Sequence, residues 1–194
     1  TKLEVDDQFV IGSISKQITA VLVLRAYERG AIKLDDTIDQ YLPNLAQPWS
    51  AAVTIHHLLT HTHGIIALDS PLAFKQGSQF QYSQLGYDLL AQVLERVTDT
   101  SFEALSTELF AEFGLKHTFH PDSEQYEHLV HGYGEDEHGA LVYSTNSLRN
   151  YAAAGSFISN AGDLQRWNEL LHAGELVSKA TVGLMATKYA TRVH

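Results

Sequence analysis

A serine and a lysine three residues apart, Ser13 and Lys16, are the first residues in the chain whose types and spacing could do chemistry. They lie in FVIGSISKQITAVLVLRAYERG, residues 9–30, where after Gly12 the apolar residues Ile14, Ile18, Val21, Leu22 and Tyr27 recur at about helical spacing. That spacing predicts a buried helix with Ser13 in its first turn and Lys16 on the same face, carried inward. A serine hydroxyl is a weak nucleophile until a neighbour takes its proton as it attacks. Lysine does this only where desolvation or nearby positive charge lowers its pKa toward neutrality, which a core helix favours. Free backbone N–H groups at the helix N-terminus would suit a developing oxyanion. Taken alone, S-x-x-K is more often an N-cap followed by a solvated lysine, so the rest of the chain has to decide.

A second cluster is His56, His57, His61 and His63. His57 and His61, at i and i+4 of a helix, could place two imidazoles on one metal ion. No glutamate stands between them as in H-E-x-x-H, and no downstream carboxylate is marked out as a third ligand, so no metal is expected. The acidic pair Asp35-Asp36 reads as a solvated turn or helix cap, positions that aspartate favours.

The elements that must position these residues follow from punctuation and periodicity. Phe9-Val10-Ile11 is strand-like, and Gly30 is a C-cap signal. Thr54 reads as the N-cap of a helix carrying Ile55, Leu58 and Leu59 inward. A Gln76-Gly77 turn leads to Tyr82, just before a helix with Gly86, Leu89, Leu90, Val93 and Leu94 on one side. Thr100-Ser101 can cap a helix with an apolar face of Phe102, Leu105, Leu109, Phe110 and Phe113, ended by Gly114. The Gly-, His- and acid-rich stretch from His117 to Tyr143 reads as an exposed loop or hairpin, its acid run a solvated face. A last helix is expected from about Ala161 through Leu164, Trp167, Leu170 and Leu171 to Gly174, with Trp167 in the core. No internal repeat, low-complexity tract or linker is visible.

Composition sets outer limits. A chain of 194 residues with 44% hydrophobic content can bury a sizeable core, and one domain over 1–194 is the first expectation. A formal net charge of −10 argues against nucleic acid or an anionic membrane surface as a partner, since either needs a basic patch. With no cysteine there is no disulfide, thiolate metal site or Cys nucleophile, and the compartment stays open. No signal-peptide pattern and no apolar run long enough to span a bilayer is read in these residues.

The segment F-x-I-G-S-x-S-K-Q-x-T-A at Phe9 to Ala20 resembles the nucleophile segment of the serine beta-lactamase and penicillin-binding protein superfamily, in its class C-like branch with D-aminopeptidase, carboxypeptidase and esterase relatives. Gly30 to Pro43, Val53 to Gly64, Phe80 to Leu90 and Ala153 to Leu164 are similar to that branch in the same order. The resemblance implies an α+β beta-lactamase-like fold, represented mostly by its helical part with an incomplete antiparallel sheet. It implies that Ser13 is the nucleophile, that Tyr82 is the second catalytic residue, its phenol pKa lowered by Lys16, and that no metal or organic cofactor is needed. Packing of Tyr82 as an ordinary aromatic, its hydroxyl on a backbone group, is the alternative.

The family's T-H-T-x-G turn is a structural loop in which His61 matches the usual histidine, and His63 stands where serine is usual. Asn160 stands where threonine is usual. The segment from Ile65 to Phe80 is shorter than the resemblance leads one to expect. Gln84 occupies a substrate-binding position where asparagine is common. The longer side chain is not expected to reproduce hydrogen bonds to Lys16 and a substrate amide, which favours an ester or small amide over a beta-lactam or D-amino-acid peptide. The resemblance also implies strands before Phe9 and a third motif, K-T-G or H-x-G on an edge strand, beyond residue 194. His172-Ala173-Gly174 fits the letters H-x-G but falls at a helix end, where both residues are ordinary caps. Export is implied by the family alone, the oligomeric state by nothing, and a non-catalytic binding module of the same fold is the reading from another class.

Overall fold

In the computed structural model, which describes residues 2–123, 129–143 and 151–190, helices packed around one central helix account for most of the regular structure. That helix is α1 (Ser15–Glu28). It is apolar nearly all round, and Ile18, Val21, Leu22, Val23, Leu24 and Ala26 are all buried. A helix without a polar face has to be covered on every side. Here α3 (Leu85–Thr98), α4 (Phe102–Glu112) and a π turn at Ala152–Ser156 pack against it. The spacing puts Ser13 in the first turn of this helix and both Ile14 and Tyr27 on its buried side. Ser13 lies in a 3₁₀ turn, Gly12–Ile14, that runs directly into α1, whereas Ile14 and Tyr27 are exposed. The left-handed φ of +54° at Gly12 turns the chain out of β1 just before the serine, which lies at the surface, while Lys16 in the first turn of α1 is buried.

The helix α2 (Ile55–Leu59) begins at Thr54 through a reciprocal cap: the His57 N–H donates to the Thr54 hydroxyl, and the Thr54 N–H donates to His57 Nδ1. Ile55 and Leu58 are fully buried, as their periodicity predicts. In α3 the stripe Leu89, Leu90, Val93 and Leu94 is excluded from solvent. Burial of each such side chain stabilises the fold by about 1.5–3 kcal/mol before conformational costs. Ser101 caps α4, and Asn160 caps α5 (Ala161–Ala173) by accepting the Asp163 N–H at 2.8 Å. Asparagine does there what threonine would do at an N-cap. Trp167 is buried and donates its indole N–H to Gln17 Oε1 at 2.6 Å, tying α5 to α1. The helix stops at Gly174, whose φ of +80° forms a left-handed cap, so His172-Ala173-Gly174 is a helix end and not an edge strand. The short α6 (Lys179–Met185) follows, capped by Ser178.

Strands are few among the described residues. Antiparallel to β4 (Ile158–Ser159), β1 (Phe9–Val10) pairs Phe9 with Ser159 and Val10 with Ile158. The second pair is the exposed hairpin of β2 (Tyr133–Glu135) and β3 (Leu141–Tyr143), within the stretch read as a loop or hairpin. Residues 124–128 of that stretch lie outside the described residues. The architecture is α+β, with the β1–β4 pair leading into the serine turn.

Candidate active site

The site forms where three segments distant in sequence meet: the 3₁₀ turn with the start of α1, the residues entering α3, and the π turn before β4. The Ile11 N–H donates to the Phe157 carbonyl, and the Phe157 N–H donates to the Ser15 hydroxyl. Thr19 donates its hydroxyl to the Ala153 carbonyl at 2.7 Å. Lys16 donates to the Ala154 carbonyl. These bonds stitch one face of α1 to Ala153–Phe157. The run Ala152-Ala153-Ala154-Gly155-Ser156 allows this close approach because it carries no bulk, and its π geometry turns successive carbonyls toward the helix.

Ser13 Oγ and Tyr82 Oη are 2.6 Å apart, a short O–H···O separation across 69 residues of chain. The Lys16 ammonium lies 4.7 Å from the centre of the Tyr82 ring and 5.6 Å from that of Tyr87. Lys16 is only 6% exposed, whereas Tyr82 is 50% exposed and Ser13 lies at the surface. The nucleophile candidate is therefore open to solvent, and its proton partner bridges it to a buried cation. Burial alone would raise the Tyr82 pKa; hydrogen bonds with Lys16 and Ser13, together with the lysine charge, outweigh it and hold the phenol below its ordinary value. A phenol so placed can take the serine proton and return it.

The structure brings Ser13, Lys16 and Tyr82 together. Gln84 is exposed at the N-cap of α3, and its side chain makes no capping hydrogen bond. One turn later, Asp88 is half-buried; desolvation raises its pKa while the Lys16 charge opposes that rise. The histidines are dispersed over different tasks. His57 serves the cap of α2, while the rings of Phe80, Tyr82 and Tyr87 surround His61. His63 is 1% exposed, its Nδ1 accepts the Ile65 N–H at 2.9 Å, and its Nε2 has no hydrogen-bond partner among the described residues.

Three contributors were not legible in the chain. The Ala154 carbonyl is backbone, and no side-chain motif announces it. Tyr87 reads as one more apolar helix residue until its ring is seen beside Lys16. His61 was read as part of a structural turn; the T-H-T-H-G letters were the available signal, without a direction for the ring.

Comparison with known proteins follows the same line. Residues 1–193 match the family model described as Beta-lactamase. The chain is 26% identical over 219 aligned residues to penicillin-binding protein 4* of Bacillus subtilis, covering 92% of this chain and 48% of that protein. It is 33% identical to esterase EstB of Burkholderia gladioli, over 55% of this chain and 36% of that one. The chain thus spans about half or less of the length of these curated relatives. Among solved structures, the octameric penicillin-binding protein homologue from Pyrococcus abyssi superposes with a TM-score of 0.80 at 26% identity, over 94% of this chain and 49% of that one. With a family model matching almost end to end, and the serine turn, tyrosine segment and small-residue turn meeting in one site, the chain belongs to the Beta-lactamase family.

Proposed function

We propose that this chain carries the acyl-transfer centre of a serine hydrolase, with Ser13 as nucleophile, Lys16 and Tyr82 as the proton-moving pair, and an ester or small amide as substrate. The observation that carries the reading is the 2.6 Å separation of Ser13 Oγ and Tyr82 Oη beside a buried lysine. Tyr82, as phenolate, takes the hydroxyl proton while Oγ bonds to the substrate carbonyl carbon and the C=O electron pair moves onto oxygen. Collapse of that adduct breaks the bond to the leaving group, which departs with the proton from Tyr82. Water then gives a proton to Tyr82 and attacks the acyl carbon; Ser13 leaves, recovers that proton, and the acid is released.

Lys16 serves this exchange through its hydrogen bond to Tyr82 and its charge beside the phenol, and the reading requires no cofactor. Gln84, at the rim of α3, is the substrate-binding residue of this reading. Its side chain is longer than the asparagine common at this position, and that difference is the ground for preferring an ester or small amide. The name of one relative, an esterase, accords with an ester, and that of another, a penicillin-binding protein, keeps beta-lactam in the second substrate class beside D-amino-acid peptide.

The test is intact-mass analysis of the full-length protein treated with a fluorophosphonate, with peptide mapping, alongside Ser13→Ala and Lys16→Ala. One adduct on Ser13, absent from Ser13→Ala and nearly absent from Lys16→Ala, is expected. A folded wild-type protein that takes no adduct, or equal labelling of Ser13→Ala, would sink the reading and leave a binding module as the better account. Ester, beta-lactam and D-amino-acid amide panels then separate the substrate classes.

A further inference from the structure

We infer that His61 is a positioning residue for Tyr82, holding the tyrosine from both of its chain neighbours and along its ring. The inference rests on the acyl-transfer reading above only for its kinetic consequence. The His61 carbonyl accepts the Gln81 N–H at 2.9 Å, and His61 Nδ1 accepts the Ser83 N–H at 3.2 Å. One residue therefore anchors the peptide groups on either side of Tyr82. Between the two anchors, the His61 and Tyr82 rings lie 4.7 Å apart with 34° between their planes. Tyr87 packs on the same imidazole at 5.2 Å, and Phe80 meets it edge-on at 5.7 Å. Tyr82 is itself half exposed and enters no helix, so His61 sets the base of the side chain while Ser13 and Lys16 hold its hydroxyl end.

The backbone is committed to this arrangement. His61 has φ of +57°, in the left-handed region, where a residue with a Cβ carries a cost of about 1–2 kcal/mol. Glycine would sit there without that cost, but it would bring no ring and no acceptor. The left-handed turn carries the imidazole back toward residues 80–83.

Only the neutral ring with its proton on Nε2 can accept at Nδ1. The titratable groups facing His61 are Lys16 on α1, Tyr82 before α3, Tyr87 on α3 and His63 on its own turn. Burial, with the Lys16 charge added, holds the His61 pKa down to about 4, so the acceptor form persists through the neutral range. Protonation would turn Nδ1 into a donor facing the Ser83 N–H and release one of the two anchors.

Three variants of the full-length protein test this. His61→Gly keeps the left-handed backbone and removes ring and acceptor; His61→Phe keeps a ring and removes the acceptor; His61→Asn tolerates the left-handed φ and offers a side-chain oxygen to the Ser83 N–H. The first readout is the titration of Tyr82 by NMR of ¹³C-labelled tyrosine, assigned with Tyr82→Phe, which requires no activity. In His61→Gly the Tyr82 titration should move up toward the ordinary value of about 10 as its ring leaves Lys16. The second readout is the rate of fluorophosphonate labelling at Ser13, expected to fall about a hundredfold with saturation unchanged, as for a displaced reacting group. His61→Asn should recover most of both. If His61→Gly does not fold by circular dichroism, His61→Phe carries the same expectation.

Identical Tyr82 titrations in the folded wild type, Gly and Phe variants would overturn the inference, even if all three labelled normally. A Tyr82 titration that moves in a protein whose wild type takes no adduct would uphold the positioning role while the acyl-transfer reading fell.

Discussion

Acidification should destabilise this fold through His63, and the amount follows from its surroundings. The ring is buried, accepts one backbone N–H at Nδ1, and presents Nε2 to a space that offers it no partner among the described residues. Burial first, then the charges of His61 and His57, hold its pKa down to about 4 against an ordinary 6.5. The sign follows from linkage. Above about 6.5 the histidine is neutral in both folded and unfolded chains, and nothing is lost. As the pH falls through 6.5 the unfolded chain takes up a proton that the folded ring refuses until about 4, so the unfolded state gains. At about 1.4 kcal/mol per pH unit, the full loss is about 3 kcal/mol, most of it by pH 4.5.

Urea denaturation of wild type and His63→Ser between pH 7.5 and 4.5 reads this directly. With a urea slope of about 2 kcal/mol per molar, the wild-type midpoint should drop about 1–2 M further than that of the variant over this range. The comparison cancels what the carboxylates contribute. His61 shares the low pKa and its charge acts on His63, so the difference between the two curves belongs to the pair rather than to one ring. Parallel midpoint curves for the two proteins would refute the argument, because they would mean that His63 takes up its proton in the folded state at an ordinary pH.

Two further outcomes are expected. A Cβ at Gly86 would lie 2.7 Å from His63 Nε2 and 3.1 Å from its Cδ2, so Gly86→Ala should cost about 2 kcal/mol and lower the melting temperature by about 4–8 °C. In the His63→Ser background the same substitution should cost much less, and strictly additive melting shifts would contradict the contact. Tyr82→Phe removes the hydroxyl 2.6 Å from Ser13 and leaves the ring stack with His61, so Ser13 acylation should slow by about 10²–10⁴ at unchanged thermal stability; labelling at the wild-type rate would remove Tyr82 from the mechanism.

Much of the helical frame was legible because it depends on local rules. Thr54, Ser101 and Gly174 stand at helix ends where capping chemistry puts them, and the buried stripes of α3 and α5 follow the helical period. Ser13, Lys16 and Tyr82 were legible through motif letters, two of them within one turn of each other. Ile14 shows where local reading stopped: helical spacing set it on the buried face, while the first turn, Gly12–Ile14, is 3₁₀ and leaves it exposed.

From sequence alone, then, the chain determined its longer helices, their caps and its lack of cysteine chemistry, because each is set by the residues themselves or by neighbours a few positions away, while Tyr82 was singled out by resemblance. Tertiary structure decided which of these meet. It placed Tyr82 against Ser13 across 69 residues, lent Lys16 a carbonyl 138 residues distant, and divided His57, His61 and His63 among a helix cap, a tyrosine's packing and a buried ring whose Nε2 has no partner among the described residues. Such pairings depend on how whole elements pack, and helical period and capping letters hold no record of the side chain that will arrive from the other end of the chain.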